Sequence, residues 1–383
     1  LKVLVALDSF KGSISSIEGG KAVVEGILPV FPDADIVALP LADGGEGTVD
    51  ALVHATNGRY IKIPVIGPLH EKVLAAYGIL GDGQTAVIEV AAACGLTLVP
   101  PAKRNPLSTT TYGVGELILD AIEKGCRKFI IGLGGSATND GGLGMLQALG
   151  YRFLDKRNQS VGVDGKSLKH IERIVLNHVH PKLRDCEFDI ACDVHNPLYG
   201  PNGAAYIFGP QKGANQEMVE ELDEGLRHFG MVIEQQLGLN ISDISGAGAA
   251  GGLGGAFAGF LNGQLRSGTQ LILDVLQIES HLQSADFVIT GEGRLDSQTA
   301  MGKAPYGIAE LASKYQVPVI ALAGGISTDS SALNNLGITS YFSIMNEPMS
   351  LEQAMDCNKA YENLTFTSNQ LFRLIKAVLF KEG

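Results

Sequence analysis

At 383 residues the chain is long enough for two domains, each with a core of its own. A net charge of −12 with no basic run leaves no footprint for nucleic acid. The 49 glycines and only 18% charged residues suit a compact α/β enzyme rather than a fibre or a disordered scaffold.

Residues 3–7 read as a buried strand, residues 8–13 (DSFKGS) as the loop after it, and a helix follows to about Leu28. A second strand at 35–41 leads through residues 42–48 (ADGGEGT) into a helix ending near Thr56. This is βαβα, the start of a parallel sheet. The texture then changes. Residues 59–66 and 72–80, split by Gly67-Pro68, look like paired antiparallel strands, with a third at 85–91. Pro100-Pro101 and Asn105-Pro106 mark a loop before a helix over 112–124.

Residues 129–144 (FIIGLGGSATNDGGLG) open as a buried strand, Phe129-Ile130-Ile131, and continue into six glycines set among Ser136, Thr138, Asn139 and Asp140. Helical spacing resumes at Leu143. Strand, glycine-rich turn and helix start together point backbone N–H groups at an anion, and missing Cβ atoms let a phosphate approach the main chain. Glycines also make tight turns that bind nothing, so the stretch alone leaves both readings open.

Residues 151–154 read as a strand, and 157–183 are polar without a legible period. A strand at 188–193 ends in a loop-rich segment, 192–214, before an amphipathic helix over 217–237. A second glycine cluster occupies 245–256, and 271–282 look helical. From Phe287 the alternating texture returns: a strand at 287–290, the loop 291–296 (GEGRLD), a helix, strands at 317–323 and 341–344, and two long C-terminal helices. Neither end of the chain makes a full sheet by itself. They are expected to combine into one doubly wound α/β domain, residues 1–65 and 280–383, with residues 66–279 inserted as a second α/β domain.

The cysteines, Cys94, Cys126, Cys186, Cys192 and Cys357, are odd in number and never form a CxxC pair, which fits reduced thiols rather than a disulfide framework or zinc site. Residues 1–7 are too short an apolar run for a signal peptide, and 246–261 fall short of a membrane span. The expectation is a cytoplasmic protein without a membrane partner.

One phrase occurs twice just ahead of a helix, D-G-G-x-G at 43–47 and at 140–144. An Asp cap and a tight turn account for either alone. As a set, Asp43, Glu46, Asp193, Glu292 and Asp296 put a surplus of carboxylates just after predicted strands, where ligands of α/β sheets bind and where two or three near a polyphosphate would hold Mg²⁺. Lys11, Lys212 and Lys303 sit in glycine-containing contexts suited to contacting phosphate, and Arg294 to clamping a carboxylate or phosphate. Gly132-x-Gly134-x-x-Ala137 also satisfies a dinucleotide fingerprint, with Asp155 about 20 residues on, which supports an alternative reading as an NAD-dependent dehydrogenase. The polar run after it stands where the first helical turn should pack on the sheet. Gly165-Lys166-Ser167 lacks the first glycine of a Walker loop.

DSFKGS, ADGGEGT, GLGGSATNDGG, CDVHNPLYGPNGAA with FGPQKGA, GAGAAGGLG and VITGEGRLDSQTAMGK, spread in this order from Asp8 to Lys303, resemble the glycerate kinase family of the bacterial sugar-acid catabolic type. The resemblance implies ATP-dependent phosphorylation of D-glycerate, with 2-phosphoglycerate favoured over 3-phosphoglycerate, and a Rossmann-like domain plus an inserted α/β domain with the active site in the cleft between them. ATP, Mg²⁺ and D-glycerate are the implied partners. On that reading Asp193, Lys11, Asp296 and Lys303 are the catalytic candidates. Gly134, Gly135, Ser136, Thr138, Asn139 and Asp140 would hold nucleotide phosphates. Ser9, Lys11, Asp43, Glu46 and Arg294 would hold substrate, and Asp43, Asp193 and Glu292 metal. Asp193 is the first choice of base for the hydroxyl proton, and Asp296 the second.

Overall fold

A computed structural model describes residues 1–297, 299 and 302–380. Its strands, in chain order, are β1 (Lys2–Leu7), β2 (Asp35–Ala38), β3 (Arg59–Ile66), β4 (Lys72–Ile79), β5 (Thr85–Glu89), β6 (Lys128–Gly132) and β7 (Arg152–Leu154). They continue with β8 (Arg173–Val175), β9 (Glu187–Ala191), β10 (Gln264–Arg266), β11 (Phe287–Leu295), β12 (Val319–Ile326) and β13 (Ile338–Ser343). The fold is mixed α/β, as its alternating texture implies.

Contacts divide the chain into two compact units. One gathers Leu1–Asp43, Asp50–Thr56 and the chain from Thr269 onward; the other holds Gly44–Val49 and Asn57–Gly268. The hairpin strand β3 therefore goes with its partner β4 in the second unit, and residues 269–279 go with the first.

In the first unit, among the described residues, five strands run parallel in the order β13-β12-β11-β1-β2. Val3–Leu7 are all buried, as a central parallel strand covered on both faces requires. Ser15 caps the helix Ser16–Ile27 by accepting the Glu18 N–H at 3.2 Å. That helix packs on the long helix Cys357–Leu379, and Val23, Ile27, Leu364 and Phe372 join Val3, Val5 and Leu7 in one core. Gly26 lies so close to Thr365 and Ser368 that a side chain there would collide.

The second unit is built on a mixed sheet in the order β10-β9-β6-β5-β4-β3. β5, β6, β9 and β10 are mutually parallel, while β3 and β4 form the expected antiparallel pair. Phe129 on β6 stacks on Phe188 of β9 with ring centroids 4.8 Å apart. The helix Gln216–Leu237 is capped by Asn215 at its start and by Gly238, at φ +67°, at its end.

Three expectations about elements need correction. β11 does not stop at Thr290 but runs through Leu295, so residues 291–295 are strand rather than loop. The stretch 271–282 breaks into Gly268–Val275 and Ile278–Leu282 at Gln277, whose φ is +51°. The C-terminal pair is one short helix, Leu351–Met355, and one long one, Cys357–Leu379. Among the described residues, no helix is long and apolar enough to cross a membrane.

Candidate active site

In the first unit β1 lies beside β11, and the sheet continues to β2 on one side and to β12 on the other. The chain leaving β1 and the chain leaving β11 therefore diverge, which opens a crevice at the carboxyl ends of the strands. A pocket of about 590 Å³ occupies it. The loop after β1 supplies Asp8, Ser9 and Lys11, and β11 supplies Glu292 and Arg294, two residues apart and so on one face of the strand. Lys303 joins them from the residue that caps the helix Ala304–Ser313. Gln298, Ala300 and Met301, within the same sequence motif, lie outside the described residues.

The cations in this pocket are each held by carboxylates. Lys11 Nζ is 3.0 Å from Asp43 Oδ2. Lys303 Nζ is 3.4 Å from Glu292 Oε2 and 3.9 Å from Asp296 Oδ1, and Arg294 Nε is 3.8 Å from Asp296 Oδ2. Thr299 Oγ1 donates to Glu292 Oε1 at 2.7 Å and accepts the Asp296 N–H, fixing both acids. Six residues singled out in the sequence, Lys11, Asp43, Glu292, Arg294, Asp296 and Lys303, thus stand together, with Ser9 in the pocket wall.

Asp8 was not among them. It is 4% exposed and accepts the Ser9 N–H at 2.6 Å. Burial, reinforced by the charge of Asp43, pushes its carboxyl up to about 7. Burial also raises Glu292. The signal for Asp8 was present, since it is the first polar residue after a fully buried strand. What makes it unusual is its burial, with Asp43 and Glu292 adding to the effect, and no local window contains these.

In the second unit the glycine stretch forms the expected strand, turn and helix start, but most of the turn is buried. After β6 the chain turns through Gly134 and Gly135, which are exposed, and Ser136–Asp140 then pass into the interior. The helix begins at Leu143, as expected, and its first residues are buried. Thr138, Asn139 and Asp140 are wholly buried. Asp140 accepts from the Thr111 N–H and Oγ1 and from the N–H groups of Gly142 and Gly144, tying together the starts of two helices. Lys212 Nζ donates to Ser136 Oγ and to the Thr138 carbonyl.

Many of the glycines serve packing. A Cβ on Gly132 would strike the carbonyl oxygen of Gly44, and one on Gly44 would lie 2.5 Å from the Ala191 Cβ. The second cluster behaves likewise, with Gly251 pressed on Thr138 and Gly252 on Gly141. Of the remaining candidates, Asp193 is exposed just beyond β9 and accepts the Gly268 N–H at 3.1 Å. Glu46 is exposed on Gly44–Val49. Among the described residues, no group of three or more His, Cys, Asp or Glu is arranged to hold a metal ion.

The glycerate kinase family model matches residues 3–376. The chain belongs to the glycerate kinase family. Its curated relatives include the glycerate kinase of Bacillus subtilis, 50% identical over 95% of this chain and 96% of that one. The glycerate 2-kinase of Escherichia coli is 47% identical over 97% of each. A crystal structure of a Salmonella typhimurium LT2 protein described as a glycerate kinase 2 superposes with a TM-score of 0.92, at 45% identity and 99% coverage of both chains. The family match spans all the motifs from Asp8 to Lys303. The dehydrogenase alternative fails on geometry as well as kinship: a dinucleotide fingerprint needs its helix to open at the glycines, and here nine residues lie between Leu133 and the helix start at Leu143.

Proposed function

We propose that this chain transfers the γ-phosphoryl group of ATP to a hydroxyl of D-glycerate, with 2-phosphoglycerate as the favoured product. The observation that carries the reading is the convergence of Lys11, Lys303 and Arg294 with four carboxylates at the carboxyl edge of a parallel sheet. Phosphoryl transfer asks for positioning and charge neutralisation more than for covalent help. Lys11 and Lys303 are ion-paired in the free protein and can exchange a carboxylate for a phosphate oxygen. Arg294, with a side chain 70% exposed, offers a two-pronged grip for the glycerate carboxylate. Ser9 and Asp43 complete the proposed substrate contacts in this unit.

The acids of the pocket fit Mg²⁺. Asp8 and Glu292 both hold their protons more tightly than isolated carboxylates, chiefly because they are buried. The four carboxylates Asp8, Asp43, Glu292 and Asp296 stand against the three cations Lys11, Arg294 and Lys303, a balance that a divalent cation suits. Mg²⁺ commonly takes one or two protein carboxylates and completes its shell with phosphate and water, so no preformed cage is required. Asp43 and Glu292 are the proposed ligands, and the ion would supply charge neutralisation at the phosphate oxygens.

In the second unit, the exposed Gly134–Gly135 turn is proposed to meet an anionic oxygen with its backbone N–H groups. Ser136, Thr138, Asn139 and Asp140 would support that turn from beneath. Asp193 remains the proposed acceptor of the hydroxyl proton, with Asp296 second, and Glu46 a further substrate contact. The proposed setting is the cytoplasm, where ATP and the unpaired cysteines of this chain are both at home.

³¹P NMR of the product formed from ATP, Mg²⁺ and D-glycerate tests the reading. A resonance split into a doublet by a single neighbouring proton is expected for phosphate on the 2-hydroxyl. A triplet would place it on the 3-hydroxyl, and no new phosphoester at all would refute the activity.

A further inference from the structure

The pocket of the first unit is far larger than a three-carbon acid needs. At about 590 Å³ it falls within the range that encloses a drug-sized ligand. It is also two-faced. Charged residues from the loop after β1 and from β11 occupy one part, and the chain after β13 walls the other with Met345, Met349, Leu351 and Met355.

Three of the seven methionines of the chain thus fall within eleven residues, all lining one cavity. Unbranched thioethers adapt their shape and make favourable contacts with aromatic rings. Leu351 is 76% exposed and Met355 40% exposed, so apolar surface is left without protein cover at the pocket mouth. The segment carrying it is held in place. A capping box between Ser350 and Gln353 starts the short helix Leu351–Met355, and Asp356 then caps the long helix by accepting the Lys359 N–H. An apolar wall on an anchored segment, next to a cluster of cations, matches a ligand that is flat and apolar at one end and anionic at the other.

We infer that the wall formed by Met345, Met349, Leu351 and Met355 is the binding site for the purine ring of the nucleotide, whose phosphates extend toward Lys11 and Lys303. The inference rests on the kinase reading and adds to it the placement of the nucleobase.

The test is isothermal titration calorimetry of the full chain with Mg²⁺, comparing ATP with inorganic tripolyphosphate, which has the phosphates without the nucleoside. Leu351→Asp is the first variant, because so exposed a side chain contributes little to folding; Met349→Asp is the second. The expected result is at least a tenfold loss of ATP affinity in both variants, with tripolyphosphate affinity and the KM for D-glycerate changed less than twofold. Unchanged ATP affinity in both overturns the inference. So does a rise in the KM for D-glycerate with ATP affinity intact, which would give the wall to the acid. If the wild-type chain binds ATP but forms no phosphoglycerate, the kinase reading fails while the affinities still decide the site of the base.

Discussion

Lys212, only 2% exposed, donates a 2.6 Å hydrogen bond from Nζ to the carbonyl oxygen of Thr138. Its other donor contact is the Ser136 hydroxyl at 3.1 Å. A buried ammonium on neutral oxygens is poorly compensated for lost hydration, and burial pulls its pKa down to about 8 from 10.5. The folded chain therefore releases this proton before the unfolded chain does. Below pH 8 both states are protonated and the contribution is flat. Between pH 8 and 10.5 the unfolded state binds the extra proton, so stability rises with pH. Urea denaturation of the wild type and Lys212→Met at pH 7.5 and pH 10.5 should show the wild type gaining up to about 3 kcal/mol relative to the variant. A pH-independent difference would mean that Lys212 titrates normally.

Asp140 distinguishes a structural from a ligand-binding use of the glycine stretch. Its carboxylate accepts from Thr111, Gly142 and Gly144 in the interior. Asp140→Ala strands those donors and should cost about 3–5 kcal/mol in urea denaturation, with Asp140→Asn costing less because one oxygen remains. Loss of activity with stability intact would instead make the residue a direct contact.

Lys303 answers to two acids at once, Glu292 at 3.4 Å and Asp296 at 3.9 Å. Lys303→Met takes the cation from Glu292 and leaves Asp296 to Arg294 where phosphate must enter. Steady-state kinetics should show kcat/KM for ATP falling by about 100-fold, roughly 2.7 kcal/mol of lost transition-state stabilisation. A fall of less than threefold would remove Lys303 from the chemistry.

The sequence foretold the strands best where apolar runs are long and bounded, as at 3–7 and 129–131. It misled at residues 291–295, because Gly291 and Gly293 look like turn residues. They are instead strand residues in close quarters: a Cβ on Gly291 would meet the Leu322 carbonyl and the Leu7 side chain. The break at Gln277 carries neither glycine nor proline to announce it. Charged candidates around Lys11 and Lys303 were legible from their motifs. The raised pKa of Asp8 was not, because it depends first on burial and then on Asp43 and Glu292, all of which come only with the folded sheet. For the glycine clusters, motif spelling cannot tell a phosphate's approach from that of another backbone, and at Gly132 and Gly251 the neighbour is backbone.

Asp193 carries the last test. It stands two residues past the end of β9, is exposed, and has one oxygen engaged by the Gly268 N–H. A base must be reachable by substrate and keep a lone pair for the proton, and exposure supplies the first condition. Asp193→Asn preserves size and the acceptor oxygen for Gly268, so folding and ATP affinity should stay within about twofold of the wild type. Turnover should fall by about 10²–10⁴-fold, the usual contribution of a positioned base. Asp296→Asn is the paired control, because its carboxylate lies near Lys303 and Arg294. Losing the base and losing a charge partner then separate in the kinetics: the first lowers kcat, whereas the second raises the KM for an anionic substrate. Normal kcat in Asp193→Asn with a collapsed kcat in Asp296→Asn would move the proton acceptor to Asp296.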